Sequence, residues 1–175
     1  MASNRDLINE IKRLNIDFDK RHDRIEEMAS IRSLNKKLFL FIKRYKRKIE
    51  VIQKKYISSD RTIEIRKGDF VACSIAAKFN KHGSYGTSHI LLSEAKCHKR
   101  IFSLLRSIGG LGRKSSSSDN IIGKCAEIKA AHQLLKVEKI PKISSIEFTT
   151  AIRPRTLEKV PRCSNCTQIF GYERV

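Results

Sequence analysis

Apolar residues recur at three- and four-residue steps through the first 57 positions of the chain. Leu7, Ile11, Leu14 and Phe18, then Ile25 and Met28, form one series; Leu34, Leu38, Phe41, Tyr45, Ile49, Ile52 and Tyr56 form a second. That period predicts helix over residues 4 to about 57, each series giving one face to a core. No glycine or proline interrupts either series.

Beyond residue 57 the pattern shortens. Residues 61–79, RTIEIRKGDFVACSIAAKF, read as a β-hairpin: Thr62 to Ile65 alternates, Arg66 to Asp69 is turn-like, and Phe70 to Ala76 continues apolar, although SIAAKF also fits a helix. NKHGSYGT (80–87) reads as a loop. Ile90, Leu91, Leu92, Ile101, Leu104 and Leu105 predict a helix over 88–108, ended by Gly109, Gly110 and Gly112. GRKSSSSDN (112–120) reads as a flexible polar stretch, and GKCAEIKAAHQLL (123–135) as an amphipathic helix. In ISSIEFTTAI (143–152), Ile146, Phe148, Thr150 and Ile152 alternate as in a strand, between Pro141 and Pro154. The expectation is an α/β domain over 58–175, preceded by a basic helical extension over 1–57.

Charge narrows the partners. Thirty-seven Lys and Arg oppose 18 Asp and Glu, a formal net charge of +19. Such self-repulsion points to a polyanionic partner, nucleic acid first and an anionic membrane surface second. Residues 1–57 hold sixteen basic and eight acidic side chains. Within them Lys43, Arg44, Lys46, Arg47 and Lys48, with Tyr45 interleaved, form a candidate phosphate-tracking face; the plainer reading is the solvated exterior of two packed helices. No window approaches the roughly 18 apolar residues of a membrane span, and MASNRDLINEIKRLN lacks the apolar stretch of a Sec signal. The expectation is action inside a cell, with delivery as an effector left open. Five cysteines, only two of them in one short motif, do not make a disulfide framework and suit a reducing compartment.

The chemistry lies in two segments. Cys163-Ser164-Asn165-Cys166 brings two thiols to one turn, for a redox pair or for two corners of a metal site. A thioredoxin-type pair needs a βαβ surround that is missing here. Cys125, at a helix start, is the remaining candidate ligand, favoured as thiolate by the helix dipole. Three thiolates leave a fourth position open, as in catalytic zinc sites, where the metal lowers the pKa of water. Glu127, on the same first turn, would overhang the metal without binding it and move a proton. The alternative for Glu127 is a carboxylate stabilised by the helix start.

Cys125-Ala126-Glu127, followed by Pro161-Arg162-Cys163-Ser164-Asn165-Cys166, resembles the signature of the zinc-dependent nucleoside and nucleic-acid deaminases, in a form similar to the deaminase domains of bacterial polymorphic toxins. The resemblance covers about residues 120–171; Pro161 stands one residue further from the first cysteine than in the usual pattern. It implies a three-layer fold with a mixed sheet backed by helices. It implies Zn2+ held by Cys125, Cys163 and Cys166, Glu127 as proton shuttle, and the Ala126 carbonyl accepting from the departing amine. The substrate would be a base in single-stranded DNA or RNA, cytosine ahead of adenine; a toxin would also need an immunity protein. Tyr85 is a candidate to stack on a flipped base and His89, beside the glycine loop, to touch substrate. Cys73 and Cys97 read as inert thiols and His132 as a packing residue. The competing class is a non-catalytic basic nucleic-acid-binding module with structural zinc.

Overall fold

The computed structural model describes residues 4–57, 67–116 and 118–171. Two helices open it, α1 (Asn4–His22) and α2 (Ile31–Ile57). Ser30 and Ser33 start α2 as a reciprocal cap: Ser33 N–H donates to Ser30 Oγ (3.0 Å) and Ser30 N–H to Ser33 Oγ (3.1 Å). A hairpin follows, β1 (Ser74–Phe79) and β2 (His82–Thr87), then α3 (Lys99–Ser107) and a small hairpin of β3 (Lys114–Ser115) and β4 (Ser118–Ile121). α4 (Ala126–Val137), the short strands β5 (Glu147–Phe148), β6 (Ala151–Ile152) and β7 (Lys159–Val160), and α5 (Ser164–Phe170) complete the order.

The main sheet runs β2-β1-β6-β7, with β5 also paired to β1. Every described pairing is antiparallel, so the sheet is not mixed as expected. Alternation along β1 serves two cores, because successive side chains point to opposite faces. Ile75 and Ala77 join α3, α4 and α5 in one core, with Ile101, Ile128, Leu134 and Phe170. Ala76 and, from β2, Tyr85 join the stripe of α1 and α2 in the other, with Leu7, Ile11, Leu34, Leu38 and Ile42. Each buried leucine, isoleucine or phenylalanine among them contributes about 1.5–3 kcal/mol by leaving water. The layers are helix, sheet, helix, and the N-terminal helical segment supplies one of them.

Several elements differ from the sequence reading, for local reasons. The hairpin uses β1 and β2, turning at Asn80-Lys81 with Asn80 left-handed (φ 49°); the expected partner at 62–65 lies outside the described residues. Of NKHGSYGT, His82–Thr87 is strand rather than loop, since its glycines mark close approaches of helices, not flexibility. A Cβ on Gly83 would stand 2.6 Å from Leu34 of α2, and one on Gly86 would stand 1.9 Å from the Ala126 carbonyl oxygen of α4.

In 88–108 only the second half is α-helical; Ile90 and Leu91 are exposed. Around the serine stretch, Lys114–Ser115 and Ser118–Ile121 pair as the β3-β4 hairpin. The strand at 143–152 is broken in two. Four residues of β1, from Ala77 back to Ser74, span five of the partner, from Phe148 to Ile152. Such a bulge inserts one residue and reverses the inward parity. Thr149 fills it, its N–H donating to Ala76 O and its Oγ1 accepting from Ala76 N–H. Ala151 and Ile152 therefore face opposite cores. No described helix is long and apolar enough to cross a membrane.

Candidate metal centre

Two helix starts meet at the edge of the core formed by α4 and α5. Cys125 is the N-cap of α4 and Cys163 the N-cap of α5, while Cys166 lies one turn into α5. The three sulfurs all lie within 4.8 Å of one another, with Cys125 Sγ 3.5 Å from Cys163 Sγ. A tetrahedral zinc with bonds of about 2.3 Å needs sulfurs about 3.8 Å apart, so the trio fits one ion. An all-sulfur donor set favours zinc or another thiophilic metal over calcium or magnesium.

The trio is charged unevenly. Hydrogen bonds from Cys125 and Cys166, and then from the backbone N–H groups of Cys166 and Asn165, hold the Cys163 thiol far below its ordinary value. The contact with Cys163 pushes Cys125 up, against a lowering by Cys166, and contacts with Cys125 and then Cys163 push Cys166 up; burial adds to both. Of the three, Cys163 is thus the thiol most disposed to be a thiolate, and metal binding would displace the remaining protons.

Glu127 stands beside the sulfurs but is not one of the clustered ligands. It is 5% exposed, and burial, reinforced by the charge of Cys163, raises its carboxyl above the ordinary value. Its own backbone N–H and the Arg162 guanidinium temper that rise. Arg162 is held by its donation to Gly171 O (2.8 Å) and by stacking on Phe148 at 5.1 Å. Close packing fixes the start of α4 on the sheet: the Ala126 carbonyl oxygen lies against Gly86, which ties it to β2.

Cys125, Ala126, Glu127 and Cys163 open into one cleft of about 310 Å3. Cys73 and Ser88, at adjoining ends of β1 and β2, form one wall, braced by Cys73 N–H donating to Ser88 Oγ (2.8 Å) and Ser88 N–H to Cys73 O (2.9 Å). Asp119 and Asn120 of β4 form another, and Lys124 and Arg153 supply cations. These six escaped the sequence reading. Lys124 adjoins Cys125 and Arg153 ends a strand between the two cysteine motifs, so proximity to the motifs was their only signal.

Other candidates sit elsewhere. Tyr85, expected to stack on a base, is 1% exposed and faces the α1/α2 layer, where it meets Phe41 edge-on at 5.4 Å. β-strand parity puts it on the wrong face for the cleft. His89 follows β2 next to Ser88, half-buried, and is lowered by burial and by Lys129 and Lys124. Lys43, Arg44, Lys46, Arg47 and Lys48 lie on α2, across the sheet from α4 and α5. Tyr45 among them is buried against Phe18, donating to Asn15 Oδ1, and offers no stacking surface. His132 is buried and bonded to Lys96 O (3.0 Å), as expected of a packing residue.

Searches of protein-family models, curated proteins and solved structures gave no match to this chain.

Proposed function

We propose that the protein is a zinc-dependent hydrolase that removes an exocyclic amine from a nucleobase in single-stranded nucleic acid, cytosine ahead of adenine. The observation that carries this is the convergence of Cys125, Cys163 and Cys166 on one point, with the unligated Glu127 in the same cleft. The resemblance of the two motifs to the zinc deaminases supports the choice of reaction.

Zinc, when bound, supplies positive charge and water activated at neutral pH. The three cysteines would hold it. Glu127 takes a proton from the attacking water and passes it to the amine. Oxygen bonds to the ring carbon, the C–N bond breaks, and ammonia leaves. A buried carboxyl with a raised pKa suits a group that must accept and release a proton near neutrality. Lys124 and Arg153 would meet the phosphates flanking the target base, and the narrow cleft requires that base to leave any stack.

Cys73 favours a second reading. It lines the same cleft, though outside the three-sulfur cluster, and a fourth sulfur drawn in by metal would close the coordination and make the zinc structural, leaving a basic binding module. The test is incubation of the zinc-loaded protein with single-stranded DNA and RNA, followed by sequencing. C-to-U or A-to-I changes that disappear with Glu127→Gln support the enzyme. Absence of any change in every substrate, with zinc bound, overturns it.

A further inference from the structure

A second concavity, larger than the metal cleft, lies on the other side of the sheet. Across the sheet, α1 and α2 run antiparallel and leave between them a groove of about 700 Å3. Pairing of Lys55 with Glu10 at one end and of Phe41 with His22 at the other fixes that antiparallel course. Its lining mixes buried Leu14, Phe18 and Ile52 with the half-buried Phe41 and with Val51, which is 60% exposed. The charged residues of the α2 wall are all basic, Arg44, Arg47 and Lys48; those of the α1 wall alternate as Glu10, Arg13, Asp17 and Arg21. Among the described residues none of these five cations is in an ion pair.

We infer that this groove docks an amphipathic helix of a partner protein, its apolar stripe on Val51 and Phe41 and its acidic edge on α2. The apolar floor favours a helix over a polynucleotide. A phosphodiester backbone is polar throughout and leaves an apolar floor uncovered, whereas a helix laid along two others buries its stripe between them. Charge selects the acidic edge, because the α2 wall offers three unpaired cations and no anion. The inference is independent of the metal chemistry, since the groove and the cleft share no residue.

The test uses the full chain and a fluorescein-labelled designed helix of about 18 residues, a leucine stripe flanked by glutamates. Anisotropy is read in about 0.1 M salt, where long-range attraction to a +19 protein is screened. A scrambled peptide of identical charge and a single-stranded oligonucleotide serve as competitors. Binding that weakens at least about 10-fold with Val51→Asp, and similarly with Arg47→Glu, supports the inference. Both positions are exposed, and unchanged thermal melting confirms folded variants. Equal binding of the scrambled peptide, indifference to Val51→Asp, or displacement by the oligonucleotide alone overturns it; the last outcome marks a nucleic-acid surface.

Discussion

Cys125 Sγ lies 3.5 Å from Cys163 Sγ, although 38 positions separate them in the chain, and each residue caps the helix that follows it. Two helix starts therefore aim their thiols at one point. Replacing Cys163 with Ser removes the thiolate that the other two hydrogen-bond, and removing a ligand exceeds the 10- to 100-fold loss typical of a supporting residue. Zinc affinity should fall by more than about 100-fold, measured by chelator competition. Retention of stoichiometric zinc would contradict the assignment.

Gly86 is the steric condition of the site. Gly86→Ala places a methyl 1.9 Å from the Ala126 carbonyl and 2.8 Å from the Ala130 nitrogen, both backbone. The helix must shift, at a cost of about 1–3 kcal/mol in urea denaturation, and Cys125 and Glu127 move with it. Zinc affinity should drop as well. Gly83→Ala meets only the side chains of Leu34 and Ala29; it should lower stability and leave zinc affinity unchanged.

Stability at acid pH tests the contact of α1 with the body of the fold. Burial raises Asp19 to about 6, with Lys129 opposing, and burial lowers His22 to about 4. Asp19, raised in the folded state, contributes stability below its unfolded value that is lost as pH rises through about 6. His22, depressed, contributes stability above its unfolded value that is lost as pH falls toward about 4. The two oppose each other between about pH 4 and 6. In Asp19→Asn the His22 loss stands alone, so stability should fall more steeply from pH 6.5 to 4.5 than in the parent, by roughly 1–2 kcal/mol. Parallel curves would show that Asp19 is not buried against Lys129.

If Lys124 and Arg153 meet the phosphates of the substrate, removing either charge should flatten the salt dependence of kcat/KM. Each Gln variant should reduce the slope of log(kcat/KM) against log[salt] by about 0.7 on a single strand. Arg47→Gln, across the sheet, should leave it unchanged. A larger effect at Arg47 would move the substrate path to α2.

The sequence exposes the parts of this protein that obey a period or a motif. Both N-terminal helices and the α4 helix follow from spacing, and the three clustered cysteines from the CxxC turn, the helix-start Cys125 and the family resemblance that the two motifs carry. What it hides are long-range contacts. Gly83 and Gly86 resemble loop residues until Leu34 and Ala126 are brought against them. Tyr85 lies in a run that looks like loop, and only strand parity shows that it points away from the cleft. The bulge at Thr149 is set by its bonds to Ala76, 73 positions away, so alternation in ISSIEFTTAI gave the wrong inward residues beyond Phe148. Cys73 carries no local mark at all, because it reaches the cleft through the pairing of β1 with β2.

If the site holds zinc, as proposed, whether three or four sulfurs bind it decides between catalysis and structure. X-ray absorption at the zinc edge on the purified, zinc-loaded protein counts them directly. The account predicts three sulfurs at about 2.3 Å and one oxygen at about 2.0 Å, unchanged in Cys73→Ser. Four sulfurs, falling to three in Cys73→Ser, would contradict it.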